Sequence, residues 1–249
     1  MELQDQVLIV TGGASGIGRD ACLALAAKGA DLVVADFNLA GAQAVAAEVQ
    51  ALGRRAVAFD VDVSKAEQVE AMVEFAVARL GTLNGIFNNA GISKVQSLLE
   101  MDPASYHRVI DVDQHSVYYG LHYGARKMVA LGAKGTFVNT ASIFGYVAAR
   151  GSFNYNAAKS AVVAMTRTAA LELAEHGIRV VAVAPGFIDT PMMGEDPGIK
   201  PPLAAQHMHK ALIQPGQVAS VVAFLFTEAA RAVNGATVPV DDGFLAFKV

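Results

Sequence analysis

The stretch VLIVTGGASGIG, Val7 to Gly18, sets an apolar run directly against a glycine-rich one. Val7 to Val10 predict a short buried strand, and a helical pattern begins near Gly16. A chain that passes this abruptly from strand to helix needs glycine for the tight geometry. The glycines stand as G-x-x-x-G-x-G at Gly12, Gly16 and Gly18 rather than in the commoner G-x-G-x-x-G spacing. The first helical turn offers free N–H groups and the positive end of its dipole. Gly12, Ser15, Gly16, Ile17 and Gly18 are therefore candidates to hold a pyrophosphate.

A second apolar run, DLVVADF, starts at Asp31 and carries Asp36 at its end. An acidic residue about 20 positions after such a loop is placed to hydrogen-bond a ribose 2′-hydroxyl. Its charge would repel a 2′-phosphate. Ala14, Ser15 and Phe37 are not basic, so NAD is expected rather than NADP.

Further along, apolar runs alternate with longer helical patterns. Strands are predicted at Val7–Val10, Asp31–Ala35, Ala56–Phe59, Gly85–Asn88, Thr136–Thr140, Arg179–Ala184 and Thr237–Val240. Helices are predicted at about Gly16–Lys28, Leu39–Leu52, Lys65–Leu80, Pro103–Leu131, Tyr155–Ala174 and Gln217–Phe226. Strands rich in Val and Ile, without polar alternation, suit a parallel sheet covered on both faces. The pattern predicts an α/β, doubly wound (Rossmann) domain with a mostly parallel seven-stranded sheet spanning residues 1–249. Ligands in such folds bind beyond the carboxyl ends of strands. Gly12, Asp36, Asp62, Asn89, Ser142 and Pro185 all follow a predicted strand.

Ser142, Tyr155 and Lys159 carry the chemistry. Tyr155 and Lys159 are i and i+4 on a predicted helix and share a face. Free tyrosine titrates near ~10, and a neighbouring ammonium favours the phenolate. Such a pair suits proton transfer to or from an alcohol or carbonyl oxygen, with Ser142 hydrogen-bonding the same oxygen. Tyr123 and Lys127 repeat the spacing, but Ile110 stands where the serine would be.

With these motifs the chain resembles the short-chain dehydrogenase/reductase family over its whole length. Asp62-Val63 resembles the family's adenine-contacting pair, and Asn88-Asn89-Ala90-Gly91 its NNAG segment, with Asn89 and Gly91 at the cofactor. Ser142, Tyr155 and Lys159 match its catalytic residues. Pro185-Gly186, with Ile188 and Thr190, resembles the segment that holds the nicotinamide carboxamide. Val240-Asp241 and Gly243 resemble a C-terminal VDGG in which Asp242 replaces the first glycine. In the family segment V-N-x-x-G-V, this chain has Asp113 for the asparagine and Ser116 for the glycine. The family asparagine helps hold a water that links the lysine to solvent, so Asp113 is carried as a further site residue.

The resemblance implies an NAD-dependent oxidoreductase that interconverts a secondary alcohol and its ketone. Tyr155 would be the general acid/base, and Lys159 would also bind the nicotinamide ribose. The alternatives are a 3-oxoacyl-carrier ketoreductase and a catalytically silent NAD-binding regulator. The expected pocket wall, Ser93, Val95, Ile143, Phe144, Phe153, Phe187 and Met192, is mostly apolar and fits cyclic, aromatic, diol or steroid substrates. A proline- and glycine-rich stretch at 187–215, with Met193, Leu203 and Met208, is expected to form a substrate lid. The family also implies a homodimer or homotetramer through the long helix and the Tyr155 helix; the apolar residues of the terminal run FLAFKV are read as a further contact.

Composition narrows the remaining classes. The net charge is −4 and no Lys/Arg block stands out, so no nucleic-acid partner is expected. No apolar run approaches ~18 residues and no signal segment appears, so no membrane partner is expected and the cytoplasm is the predicted location. Cys22, the one cysteine, is read as packing. His207 and His209, at i and i+2, lack a third ligand, so no metal is expected.

Overall fold

Strands form where β-branched residues run without polar interruption: β1 (Val7–Thr11), β2 (Asp31–Asp36), β3 (Ala56–Asp60), β4 (Gly85–Asn88), β5 (Gly135–Thr140), β6 (Ile178–Pro185) and β7 (Thr237–Val240). In the computed structural model, which describes residues 2–194 and 196–247, they make one parallel sheet ordered β3-β2-β1-β4-β5-β6-β7. The helices are α1 (Gly16–Ala27), α2 (Leu39–Ala51), α3 (Ala66–Leu80), α4 (Pro103–Ile110), α5 (Ser116–Ala130), α6 (Phe153–Leu173), α7 (Lys200–Ala204) and α8 (Pro215–Phe226). Successive β1 side chains point to opposite faces. Leu8 and Val10 pack with α1, α2 and α8, whereas Val7 and Ile9 pack with α3, α5 and α6. Chain order reverses between β1 and β4, which opens a crevice at the carboxyl edge. The doubly wound seven-stranded expectation holds.

Three differences from the sequence reading go beyond a one-residue shift at an element's end. The helix expected over Pro103–Leu131 is interrupted by a π-helical turn, Asp111–His115, between α4 and α5. Ser116 Oγ donates to the Val112 carbonyl there, a back-bond that helps distort the turn. Second, α6 begins at Phe153, before Tyr155. Third, Pro215 belongs to α8 rather than to the lid. It occupies the first turn, where its missing N–H is harmless, and Gln217 Oε1 accepts from Gln214 N–H at 2.8 Å. The predicted lid is also partly regular, holding a 3₁₀ turn at Pro191–Met193 and α7; Glu195 lies outside the described residues. Within FLAFKV, Phe244 packs edge-on against Phe187 and Phe247 is exposed, while Lys248 and Val249 lie outside the described residues. Among the described residues no helix is long and apolar enough to cross a membrane.

Candidate active site

At the junction of β1 and α1, Gly16 takes φ +53°, a conformation that disfavours side chains. Gly18 has a different reason to be glycine: a Cβ there would stand 2.0 Å from the Gly12 carbonyl oxygen. Gly18 therefore lies tight against the loop backbone and is not among the residues lining the cleft. Ser15 precedes α1, but no side chain caps the helix, so its first N–H groups face the cleft unsatisfied. That is the donor set a pyrophosphate needs. Asn89 bridges β1 and β4, donating to the Thr11 and Gly12 carbonyls at 3.0 and 3.3 Å.

Asp36 closes β2. Its Oδ2 accepts from Ala14 N–H at 3.0 Å and its Oδ1 from Asn38 N–H at 2.8 Å. Both oxygens keep lone pairs for further donors. Asp62 Oδ1 accepts from Ser64 N–H and Oγ, and Oδ2 lies 3.7 Å from Arg108 Nη1. Burial opposes ionisation of Asp62, but the Ser64 hydrogen bonds and Arg108 outweigh it and hold the carboxyl below its usual range. Arg108 also lines the cleft; the sequence reading missed it because nothing in the motif marks a residue on α4.

Ser142, Tyr155 and Lys159 meet between the end of β5 and α6. Ser142 Oγ accepts from Phe144 N–H at 3.1 Å, which leaves the hydroxyl hydrogen free to donate into the cleft. Lys159 is buried and donates to the Thr140 carbonyl at 2.9 Å. Its Nζ lies 5.4 Å from the Tyr155 ring centroid. Asp113, fully buried, places Oδ2 3.2 Å from the same Nζ, an ion-pair contact without hydrogen-bond alignment. Asp113 Oδ1 accepts from Ile92 N–H at 2.8 Å.

Lys159 pulls the Tyr155 phenol down as expected, helped by the Ser142 hydrogen bond, but burial, with Asp113 adding to it, outweighs both and leaves the phenol above its ordinary range. Burial works against the Lys159 ammonium, yet the Asp113 carboxylate outweighs it and holds the lysine up. The decoy lies elsewhere: Lys127 pairs with Glu74 at 2.5 Å.

One cleft of about 570 Å³ takes in Gly12, Ser15, Gly16, Ile17, Asp36, Asp62, Val63, Asn89, Gly91, Asp113, Ser142, Tyr155, Lys159, Pro185, Gly186, Ile188 and Thr190. It is also walled by Ser93, Val95, Ile143, Phe144, Phe187 and Met192, the expected pocket wall, with Met193 and Leu203 from the 187–215 stretch. Phe153 is not part of it; the ring is half-exposed and rests near Tyr106. Met208 turns instead toward Gly243.

The stretch 187–215 is braced by internal contacts at Lys200 and His207 and by one contact to the C-terminal segment at Asp242. Lys200 pairs with Asp189 at 2.7 Å. His207, fully buried, accepts from Phe187 N–H through Nε2 at 3.1 Å and is 2.7 Å from the Ala211 carbonyl through Nδ1. Asp242 sits at φ +48° and accepts from His209 N–H at 2.7 Å. His207 is thus a structural clamp that sequence spacing gave no sign of. No cluster that could hold a metal occurs among the described residues. Cys22 is buried, and burial pushes its thiol up, so it packs rather than reacts.

A family model described as enoyl-(acyl carrier protein) reductase matches residues 12–245. Cyclohexanol dehydrogenase of Acinetobacter sp. (strain SE19) is 41% identical over 244 residues, covering 98% of this chain and 96% of the relative. Cis-4-hydroxycyclohexanecarboxylate dehydrogenase of Sinomonas cyclohexanicum is 39% identical over 244 residues, 97% of each chain. A crystal structure of a short-chain type dehydrogenase/reductase from Mycobacterium marinum superposes with TM-score 0.95 at 29% identity, covering 99% of this chain and 98% of that one. Glycine loop, Ser142-Tyr155-Lys159 geometry and near full-length likeness agree: the chain belongs to the short-chain dehydrogenase/reductase family.

Proposed function

We propose that this chain is an NAD-dependent dehydrogenase for cyclic secondary alcohols, working reversibly on the corresponding ketones. The observation that carries the chemistry is the Ser142-Tyr155-Lys159 cluster in one cleft with an uncapped helix start. When bound, the nicotinamide supplies the hydride acceptor or donor. The protein's part is proton handling. Ser142 donates to the substrate oxygen and so orients it, and Tyr155 takes the hydroxyl proton in oxidation or returns it in reduction. Lys159, anchored on Thr140, sets the field at Tyr155. The apolar wall of Phe144, Phe187 and Met192 removes water from an uncharged ring. Both relatives are named for substrates with a cyclohexane ring, which supports a compact alicyclic alcohol here.

Asp36 supports NAD. Its carboxylate faces the cleft, where a 2′-phosphate would meet like charge. We expect kcat/KM with NAD to exceed that with NADP by about tenfold or more, and Asp36→Ala to shrink the ratio. Following reduced-cofactor absorbance over a panel of cyclic, aromatic and linear secondary alcohols with each cofactor tests both readings. A preference for NADP overturns the cofactor assignment, and no turnover across the panel overturns the substrate class. Asp36 also argues against an acyl-carrier ketoreductase that uses NADPH. The intact proton-transfer cluster argues against a silent regulator.

The groove between α5 and α6, lined by Tyr118, Leu121, His122, Val129, Met165 and Leu173, supports a homodimer or homotetramer. Tyr118 and Val129 are exposed in the single chain, as expected of residues awaiting a second copy. We place the enzyme in the cytoplasm, in keeping with its single, buried, unpaired cysteine.

A further inference from the structure

The π-helical turn Asp111–His115 drops Asp113 out of the α4–α5 surface and into the floor of the cleft. Single π turns inside α-helices are frequent at functional sites. Here the turn delivers a fully buried carboxylate whose Oδ2 has no hydrogen-bond partner and lies 3.2 Å from Lys159 Nζ. The lysine in turn is 5.4 Å from the centre of the Tyr155 ring. Carboxylate, ammonium and phenol therefore stand in sequence. The charged and titratable groups facing Asp113 are Lys159 and, beyond it, Tyr155, both from α6. From the β4 side it meets backbone, the Ile92 N–H and Gly91.

We propose that Asp113 is a positioning residue that sets the pH at which Tyr155 exchanges its proton, acting through Lys159. The carboxylate opposes the phenolate directly and offsets the ammonium that favours it; it also helps to keep Lys159 protonated, and the direct repulsion sets the direction of the bias. An asparagine has the same shape and can still accept from Ile92 N–H, but it removes the charge. The chain thus carries a built-in bias toward more alkaline alcohol oxidation. This inference rests on Tyr155 being the proton acceptor.

The test is the pH dependence of kcat/KM for alcohol oxidation by the parent and Asp113→Asn, with folding checked by circular dichroism. We expect the acid limb of the variant to move about one pH unit or more toward acid, so that it runs about tenfold faster on that limb. A merely structural carboxylate would change the melting temperature or KM and leave the limb in place. Superimposed limbs overturn the proposal. Should Asp113→Asn not fold, ultraviolet difference titration of Asp113→Ser and of the parent, each against its own Tyr155→Phe counterpart, reads the phenol directly. Ionisation at lower pH in the Asp113→Ser background supports the role, and unchanged ionisation overturns it. The two readings fail differently. Activity in Tyr155→Phe removes the proton acceptor and with it this inference. An inactive Tyr155→Phe with superimposed Asp113→Asn and parent profiles removes the inference alone.

Discussion

Tyr155→Phe is expected to bind the dinucleotide almost as the parent does and to turn over at least ~100-fold more slowly. The phenyl ring keeps its edge-on contact with Phe144, 6.3 Å between centroids, and its place over Lys159. What disappears is one hydroxyl. Ser142 cannot replace it, since its oxygen already accepts from Phe144 N–H and no general base among its hydrogen-bond partners can take its proton. Calorimetric titration with cofactor and steady-state kinetics on one preparation separate binding from chemistry. Turnover within a few-fold of the parent would remove Tyr155 from the reaction.

Lys159→Met is expected to damage stability as well as activity. The substitution leaves the Asp113 carboxylate buried beside an apolar side chain and removes the hydrogen bond to Thr140. Breaking one side of a buried pair typically costs about 3–5 kcal/mol. The loss has a pH signature. Without the ammonium, burial raises the Asp113 carboxyl further above its unfolded value. The folded state then binds the proton more tightly than the unfolded state does. Stability is retained below the unfolded carboxylate range and is lost as pH rises through the folded value. Urea midpoints for parent and variant should therefore diverge as pH rises from about 4 to 8. A pH-independent difference would mean that Asp113 is not the group left uncompensated.

Much of the fold could be read locally. Val- and Ile-rich runs mark the strands, and glycines mark the one junction where backbone must approach a phosphate. The Ser142-Tyr155-Lys159 spacing was legible because it measures a single excursion from β5 into α6. The π turn at Asp111–His115 was not, since one extra residue in a turn hardly alters helical periodicity. His207 looked like half of a poor metal site. Its partners, Phe187 N–H and the Ala211 carbonyl, are backbone groups, which no residue pattern announces. The net sign of the Tyr155 shift was not legible for a related reason. Spacing reveals that Lys159 is near, whereas burial, the larger effect, is set by the whole assembled cleft.

The meeting of Gly91 with Asp113 constrains the order in which this lineage can change. A Cβ on residue 91 would stand 2.9 Å from Asp113 Oδ2, and that oxygen cannot swing aside while Lys159 and Ile92 hold the carboxylate at both ends. Gly91→Ala should therefore be harmful in the present background and milder after Asp113→Ser, with asparagine at 113 giving no relief because its shape is the same. Measured as a double-mutant cycle in melting temperature, the coupling should be positive; additive effects would show the two positions to be independent. Under that coupling, position 91 stays closed to every residue larger than glycine until position 113 shortens, so the two sites travel through sequence space along one path rather than two.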